Sequence, residues 1–164
     1  MSDPLAIHEQ ALLRGLVRAS PGQVRQFTYG RPIALVADLI YEEALSRSID
    51  PAFAVAESIL ESGWGRSPLA QRHHNWYGFD ARYEDPGRFR SFPSDQVGIA
   101  TALDYMSRVC FEPGGVHYRH GLGCTLSGWA EIWVNGPPVH WGAAVRQLIV
   151  LIGALMKVPE GSLH

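Results

Sequence analysis

Ile59-Leu60-Glu61-Ser62-Gly63-Trp64-Gly65-Arg66-Ser67-Pro68-Leu69-Ala70 is the most informative stretch of this 164-residue sequence. It continues Asp50-Pro51-Ala52-Phe53-Ala54-Val55-Ala56-Glu57-Ser58, and together the two predict one helix. Asp50-Pro51 is a start signal, with a capping side chain followed by Pro in the first turn, and Gly63 is a stop. The helix is apolar, and Glu61 is an ionisable residue at its end. A Gly-Trp-Gly turn follows at once, and glycines on both sides of Trp64 let backbone approach a neighbour or a ligand. A carboxylate beside Trp in an apolar pocket has its charged form disfavoured and its pKa raised. A general acid working near neutral pH needs that property. The competing reading is a Glu61 that bonds to backbone or pairs with an Arg.

Upstream, Ser2-Asp3-Pro4 predicts a helix start, and Leu5, Leu12, Leu13, Leu16 and Val17 follow helical spacing until Ser20-Pro21-Gly22 ends the segment. Pro32 opens a second helix with Ile33, Val36, Leu39, Ile40 and Ala44 on one stripe. Downstream, Asn75 to Phe92 alternates aromatics around a Glu84-Asp85-Pro86-Gly87 turn and predicts a short β-hairpin. Ser94 or Asp95 caps a further helix with Ile99, Leu103, Met106 and Val109 inward. A glycine-rich loop runs from Pro113 to Gly123, Thr125 starts a short helix through Trp133, and Asn135-Gly136-Pro137-Pro138 is a break. A last apolar helix runs from about His140 to Lys157. The expected fold is mainly α (α+β), a helical domain with a small β-hairpin lobe, and residues 1–164 read as a single domain.

Charged residues make up 18% of the chain, below the usual share of about 25%, while it carries five Trp, six Tyr and six Phe. Aromatic faces suit sugar rings as well as cores. A formal net charge of −2 argues against nucleic acid as the main partner, because phosphate binding needs a basic surface. The segment Met1 to Gly15 lacks a basic start followed by an apolar run and does not read as a secretory signal. Leu148 to Met156 is too short to span a bilayer, so no membrane span is expected. Cys110 and Cys124 can be free or paired. With His117 and His120 they supply ligand types that zinc prefers, but not in a familiar knuckle spacing, and no metal and no cofactor is expected.

The segment from Ile49 to Val109 resembles the glucosaminidase family of lysozyme-fold peptidoglycan hydrolases. The resemblance rests on Pro51-Ala52-Phe53-Ala54-Val55-Ala56-Glu57, then Leu60 to Ala70 with its Glu-Ser-Gly-Trp-Gly core, then Asn75-Trp76-Tyr77-Gly78. Weaker similarity continues through Phe89 to Ile99 and Trp129 to Trp141, where the family often has a Tyr-Xaa-Xaa-Asp-Xaa-Xaa-Tyr-like stretch and this chain has Trp133 and Trp141 without the Asp. The first 48 residues lie outside it. The resemblance implies a lysozyme-like fold, a substrate of peptidoglycan glycan strands, and Glu61 as the acid that protonates the glycosidic oxygen. It also implies a sugar groove lined by Trp64, Asn75, Trp76, Tyr77 and Trp141, whose competing reading is hydrophobic core. A second carboxylate would come from the hairpin, with Glu84 the leading candidate beside Asp80 and Asp85. Alternatively the substrate's own acetamido group is the nucleophile.

Where the family often has Gln, this chain has Glu57, spaced i, i+4 from Glu61 and so able to share its helix face. Two nearby carboxyls resist joint ionisation, and Glu57→Gln is expected to move the acidic side of the pH–rate optimum. The expected activity is N-acetylglucosaminidase. A lytic transglycosylase or muramidase on the same fold is the alternative, although the Gly-Leu-Met-Gln-like segment common in transglycosylases is missing. A non-catalytic wall-binding or structural domain is a third. Action on the wall without a signal implies delivery by lysis, a phage particle or a secretion machine, or a fragment of a longer exported protein. A delivered toxin would also have an inhibitory partner.

Overall fold

The computed structural model describes residues 3, 5–79, 90–115, 124–134 and 137–160. Seven α-helices are seen among them: α1 (Pro21–Thr28), α2 (Ala34–Ser46), α3 (Pro51–Ser62), α4 (Pro68–His73), α5 (Asp95–Tyr105), α6 (Leu126–Trp133) and α7 (Pro138–Met156). A π-helical turn, Met106–Phe111, extends α5. The mainly α expectation holds. The predicted hairpin falls largely on residues 80–89, which lie outside the described residues, and its flanks form no strand.

The N-terminal segment departs from the helical reading. Its described residues form no helix before Pro21 and run instead as a strap with isolated bridges Leu12–Thr125 and Arg14–Ile49. Ala11 and Leu13 are buried while Leu12 is 47% exposed between them, a period of two rather than 3.6. Leu13 N–H donates to the Cys124 carbonyl, Leu126 N–H to that of Ala11, and Asp50 N–H to that of Leu13. Ser20-Pro21-Gly22 opens a helix rather than closing one. Ser20 and Gln23 form a reciprocal capping box with Pro21 in the first turn, and that pattern is a start signal whatever precedes it.

α3 is the centre of the molecule. Its side chains from Pro51 to Ile59 are all buried, and it packs between α2 and α7. Phe53 meets Trp129 of α6 edge-on at 5.1 Å and Phe111 at 6.3 Å. A helix enclosed on every side needs its first amides satisfied without water. Asp50 does this, accepting from Ala52 N–H. The Asp50 carboxylate is itself buried and is held by Arg18 at 2.6 Å, with both side chains fully enclosed. Arg18 also donates to the Leu5 and Leu12 carbonyls, so one guanidinium ties the strap to the start of the central helix. α7 has 19 residues and is long and apolar enough by length and composition to cross a membrane. Here it lies on α3 and α6, with Ala144, Val145, Leu148, Ile152 and Leu155 buried.

Removing one partner of a buried ion pair strands the other charge, at about 3–5 kcal/mol. Arg18→Ala should therefore lower the stability measured by urea unfolding by about that much. The double variant Arg18→Met with Asp50→Asn keeps the cap without the buried charge and should recover part of the loss. An Arg18→Ala protein as stable as the parent would contradict this role.

Candidate active site

Glu61 stands in the last turn of α3, where the enclosed helix reaches the surface, and it keeps solvent access. The chain then turns through three residues of positive φ: Gly63 (57°), Trp64 (63°) and Gly65 (85°). Left-handed backbone at an aromatic residue is strained, at about 1–2 kcal/mol, and such strain collects at functional sites. Gly65 has no alternative residue, since a Cβ there would lie 2.6 Å from the Ile33 nitrogen and 2.9 Å from the Trp76 ring. Trp64 itself is half-buried against Phe27, with centroids 5.4 Å apart, and the Arg31 guanidinium lies 4.3 Å over its ring. Its carbonyl accepts from Ile33 N–H. The residues ahead of α2 thus form one wall beside the Glu61 turn, a contribution that the sequence offered no motif to find.

The other wall is the segment from His74 to Phe79. Asn75 is buried and clasps the loop: its amide donates to the Phe79 and Arg90 carbonyls at 2.8 and 3.0 Å, and its oxygen accepts from Phe79 N–H. Trp76 is buried and donates its indole N–H to Asp95 at 2.7 Å, where His74 also binds. Its carbonyl accepts from Ser58 of α3. Tyr77 is fully buried, and its hydroxyl donates to the Ala54 carbonyl at 2.8 Å. Of the five groove residues expected from sequence, Asn75, Trp76 and Tyr77 are therefore enclosed supports with their polar atoms engaged. Trp64 and Trp141 stay half-buried, and Trp141 donates to the Val134 carbonyl. His73 rests on Ser91.

These supports deliver Gly78. Its φ is +63°, and a Cβ there would come within 2.9 Å of Glu61 Oε2. A bare backbone is thus pressed against the carboxyl. Beyond it, Phe79, Tyr105 and Trp133 form an aromatic cluster, with Phe79 5.1 Å from Tyr105 and 6.0 Å from Trp133. Tyr105 and Trp133 are only partly buried. Neither Phe79 nor Tyr105 was singled out from sequence, where each is one aromatic among many.

Burial raises the Glu61 pKa above the ordinary 4.5, against a smaller lowering by hydrogen bonding from Glu57. The C-terminal end of the α3 dipole acts in the same direction as burial. Glu57 is fully buried one turn earlier. Its pKa is pushed well up by burial first and then by the Glu61 charge and hydrogen bond. Such a pair can hold a proton at Glu61 where a solvated Glu would have lost it. Glu84, Asp80 and Asp85 lie outside the described residues. So do His117 and His120, and no metal-holding cluster exists among the described residues. Cys110 and Cys124 are free thiols, and burial pushes that of Cys110 up to about 12.

The family model described as mannosyl-glycoprotein endo-beta-N-acetylglucosaminidase matches residues 37–149, starting further upstream than Ile49. No curated protein matches the chain. Among solved structures, the catalytic domain of the autolysin Auto from Listeria monocytogenes superposes with a TM-score of 0.55 at 17% identity, over 86% of this chain and 90% of that one. A peptidoglycan hydrolase from Sphingomonas sp. A1 gives 0.53 at 17% identity, over 85% and 98%. An N-acetylmuramoyl-L-alanine amidase from Staphylococcus aureus gives 0.54 at 18% identity, over 87% of this chain but 46% of that one. The structural likenesses establish the shared fold, and the match across residues 37–149 establishes that the chain belongs to the glucosaminidase family.

Proposed function

We propose that this protein hydrolyses the β-1,4 glycan backbone of peptidoglycan as an N-acetylglucosaminidase, with Glu61 as general acid. The observation that carries the reading is the Glu61 carboxyl itself: it ends a buried helix, keeps solvent access, meets the bare backbone of Gly78 and holds its proton above the ordinary Glu range. Protonated, Glu61 donates to the glycosidic oxygen as the C–O bond breaks, so the leaving sugar departs as a neutral alcohol. The positive charge that develops at the anomeric carbon is met by a second group, either Glu84 of the expected hairpin or the substrate's acetamido oxygen. Water then completes the exchange and Glu61 recovers its proton. The half-exposed aromatics, Trp64 on one side and Tyr105 with Trp133 on the other, offer faces against which sugar rings pack.

Digestion of purified peptidoglycan, with fragments identified by mass spectrometry, tests both specificity and acid. The wild type should release reducing N-acetylglucosamine ends, and Glu61→Gln should lose at least about 100-fold in rate, the lower range for a general acid. Reducing muramic ends would make the protein a muramidase, and anhydro-muramic ends a transglycosylase. Binding without turnover by the wild type would point to a wall-binding domain.

Gly78→Ala would push a methyl group into the Glu61 carboxyl. It should lower kcat by roughly 10- to 100-fold, as displacement of a catalytic group by about 1 Å does. A folded variant with unaltered kcat would show that Gly78 does not set the position of the acid. Because burial raises the Glu61 pKa, and the acid must be protonated to act, the alkaline limb of kcat/KM should lie above 4.5. A pH–rate profile places that limb directly.

A further inference from the structure

Glu57 is the one carboxyl of α3 with no route to water. It is fully buried, sits one helical turn before Glu61, and no hydrogen-bond donor among the described residues reaches either of its oxygens. An ionised carboxylate so placed would carry a desolvation cost that nothing offsets, so the group neutralises instead. Among the described residues, the surroundings supply no counter-charge. Tyr77 is the other titratable group against it, and its hydroxyl is engaged with the Ala54 carbonyl. On α2, Asp38 pairs outward with Arg25, Glu43 pairs with Arg47, and Glu42 is exposed. On α7, His140 and Arg146 are exposed. At the far end of α3, Asp50 is paired with Arg18.

We propose that Glu57 is a positioning residue that stays protonated through the working pH range and directs its O–H at Glu61, orienting the acid and stabilising its carboxylate once its proton has gone to substrate. The inference rests on Glu61 being the acid. Proton balance is simple: Glu61 gives up one proton and regains it from water, while Glu57 keeps its own throughout. A carboxylic acid facing a carboxylate is a strong, charge-assisted donor.

This assignment changes which limb of the pH–rate profile responds. Loss of the Glu61 proton ends activity, so Glu57 acts on the alkaline limb and not on the acidic side that sequence reasoning indicated. The sign of the response is diagnostic. A neutral donor lowers the pKa of Glu61, so its removal raises the limb. An anion would raise that pKa, so its removal would lower the limb.

The test compares wild type, Glu57→Gln and Glu57→Leu in the full chain, with urea unfolding to verify that each folds. The alkaline limb should rise by a few tenths of a pH unit in the Gln variant and by about one unit in the Leu variant. Cleavage should fall about 10-fold in the Leu variant and be largely retained in the Gln variant. A limb that stays put in both, or moves down, overturns the proposal. Carbon-13 NMR of the carboxyls gives a readout independent of activity. One glutamate signal absent from Glu57→Gln should report a protonated group at neutral pH, and an ionised signal there overturns the proposal even if both variants cleave normally. If Glu61→Gln retains activity, the functional reading fails, and the NMR signal still decides the state of Glu57.

Discussion

A helix buried on every side can hold charge only where something else compensates it, and α3 is such a helix. At its start the compensation is the enclosed Arg18–Asp50 pair, which satisfies the first amides and anchors the N-terminal strap in one step. In its middle there is none among the described residues, and burial pushes the Glu57 pKa well above its ordinary value. At its end the helix meets solvent, and Glu61 occupies the boundary where a carboxyl has a raised pKa without losing access to solvent. The same desolvation thus raises the pKa of three carboxyls along a single helix, each in different surroundings.

The surroundings of Glu61 serve placement more than direct contact. Ser58, Ser62 and Ala54 of α3 are each tied to the loops that wrap its C-terminal end: Ser58 to the Trp76 carbonyl, Ser62 to Gly65 N–H, and Ala54 to the Tyr77 hydroxyl. Asp95, at the start of α5, holds His74 and Trp76 on one oxygen. These bonds connect the helix of Glu61 to the segment that carries Gly78.

The aromatic residues divide by depth. Trp129, Tyr77 and Phe53 are core, fully enclosed. Trp64, Tyr105, Trp133 and Trp141 remain partly exposed while packing on that core. A chain low in charge and rich in aromatics has material for both roles, and the half-buried Trp64 stands in the turn that follows Glu61.

Helix boundaries with chemical punctuation were legible in the chain: Asp50-Pro51 and Gly63 around α3, Ser94 before α5, Thr125 before α6 and the proline pair before α7. Glu61 was legible for the same reason, because a carboxylate at the end of an apolar helix before a Gly-Trp-Gly turn is a local pattern. Residues 5–17 were misread because their leucines fit helical spacing. The alternation seen at Ala11, Leu12 and Leu13 belongs to a strap held by bonds to Ser48, Asp50 and Cys124, none of them local. The depth of Asn75, Trp76 and Tyr77 was equally hidden, since an aromatic that supports a groove and one that lines it look alike in sequence. Sequence alone determined which carboxyl stands at the end of the central helix. Only the tertiary structure decided that Gly78 presses on it and that Glu57 beside it is sealed from water, because proximity and desolvation arise from segments distant along the chain.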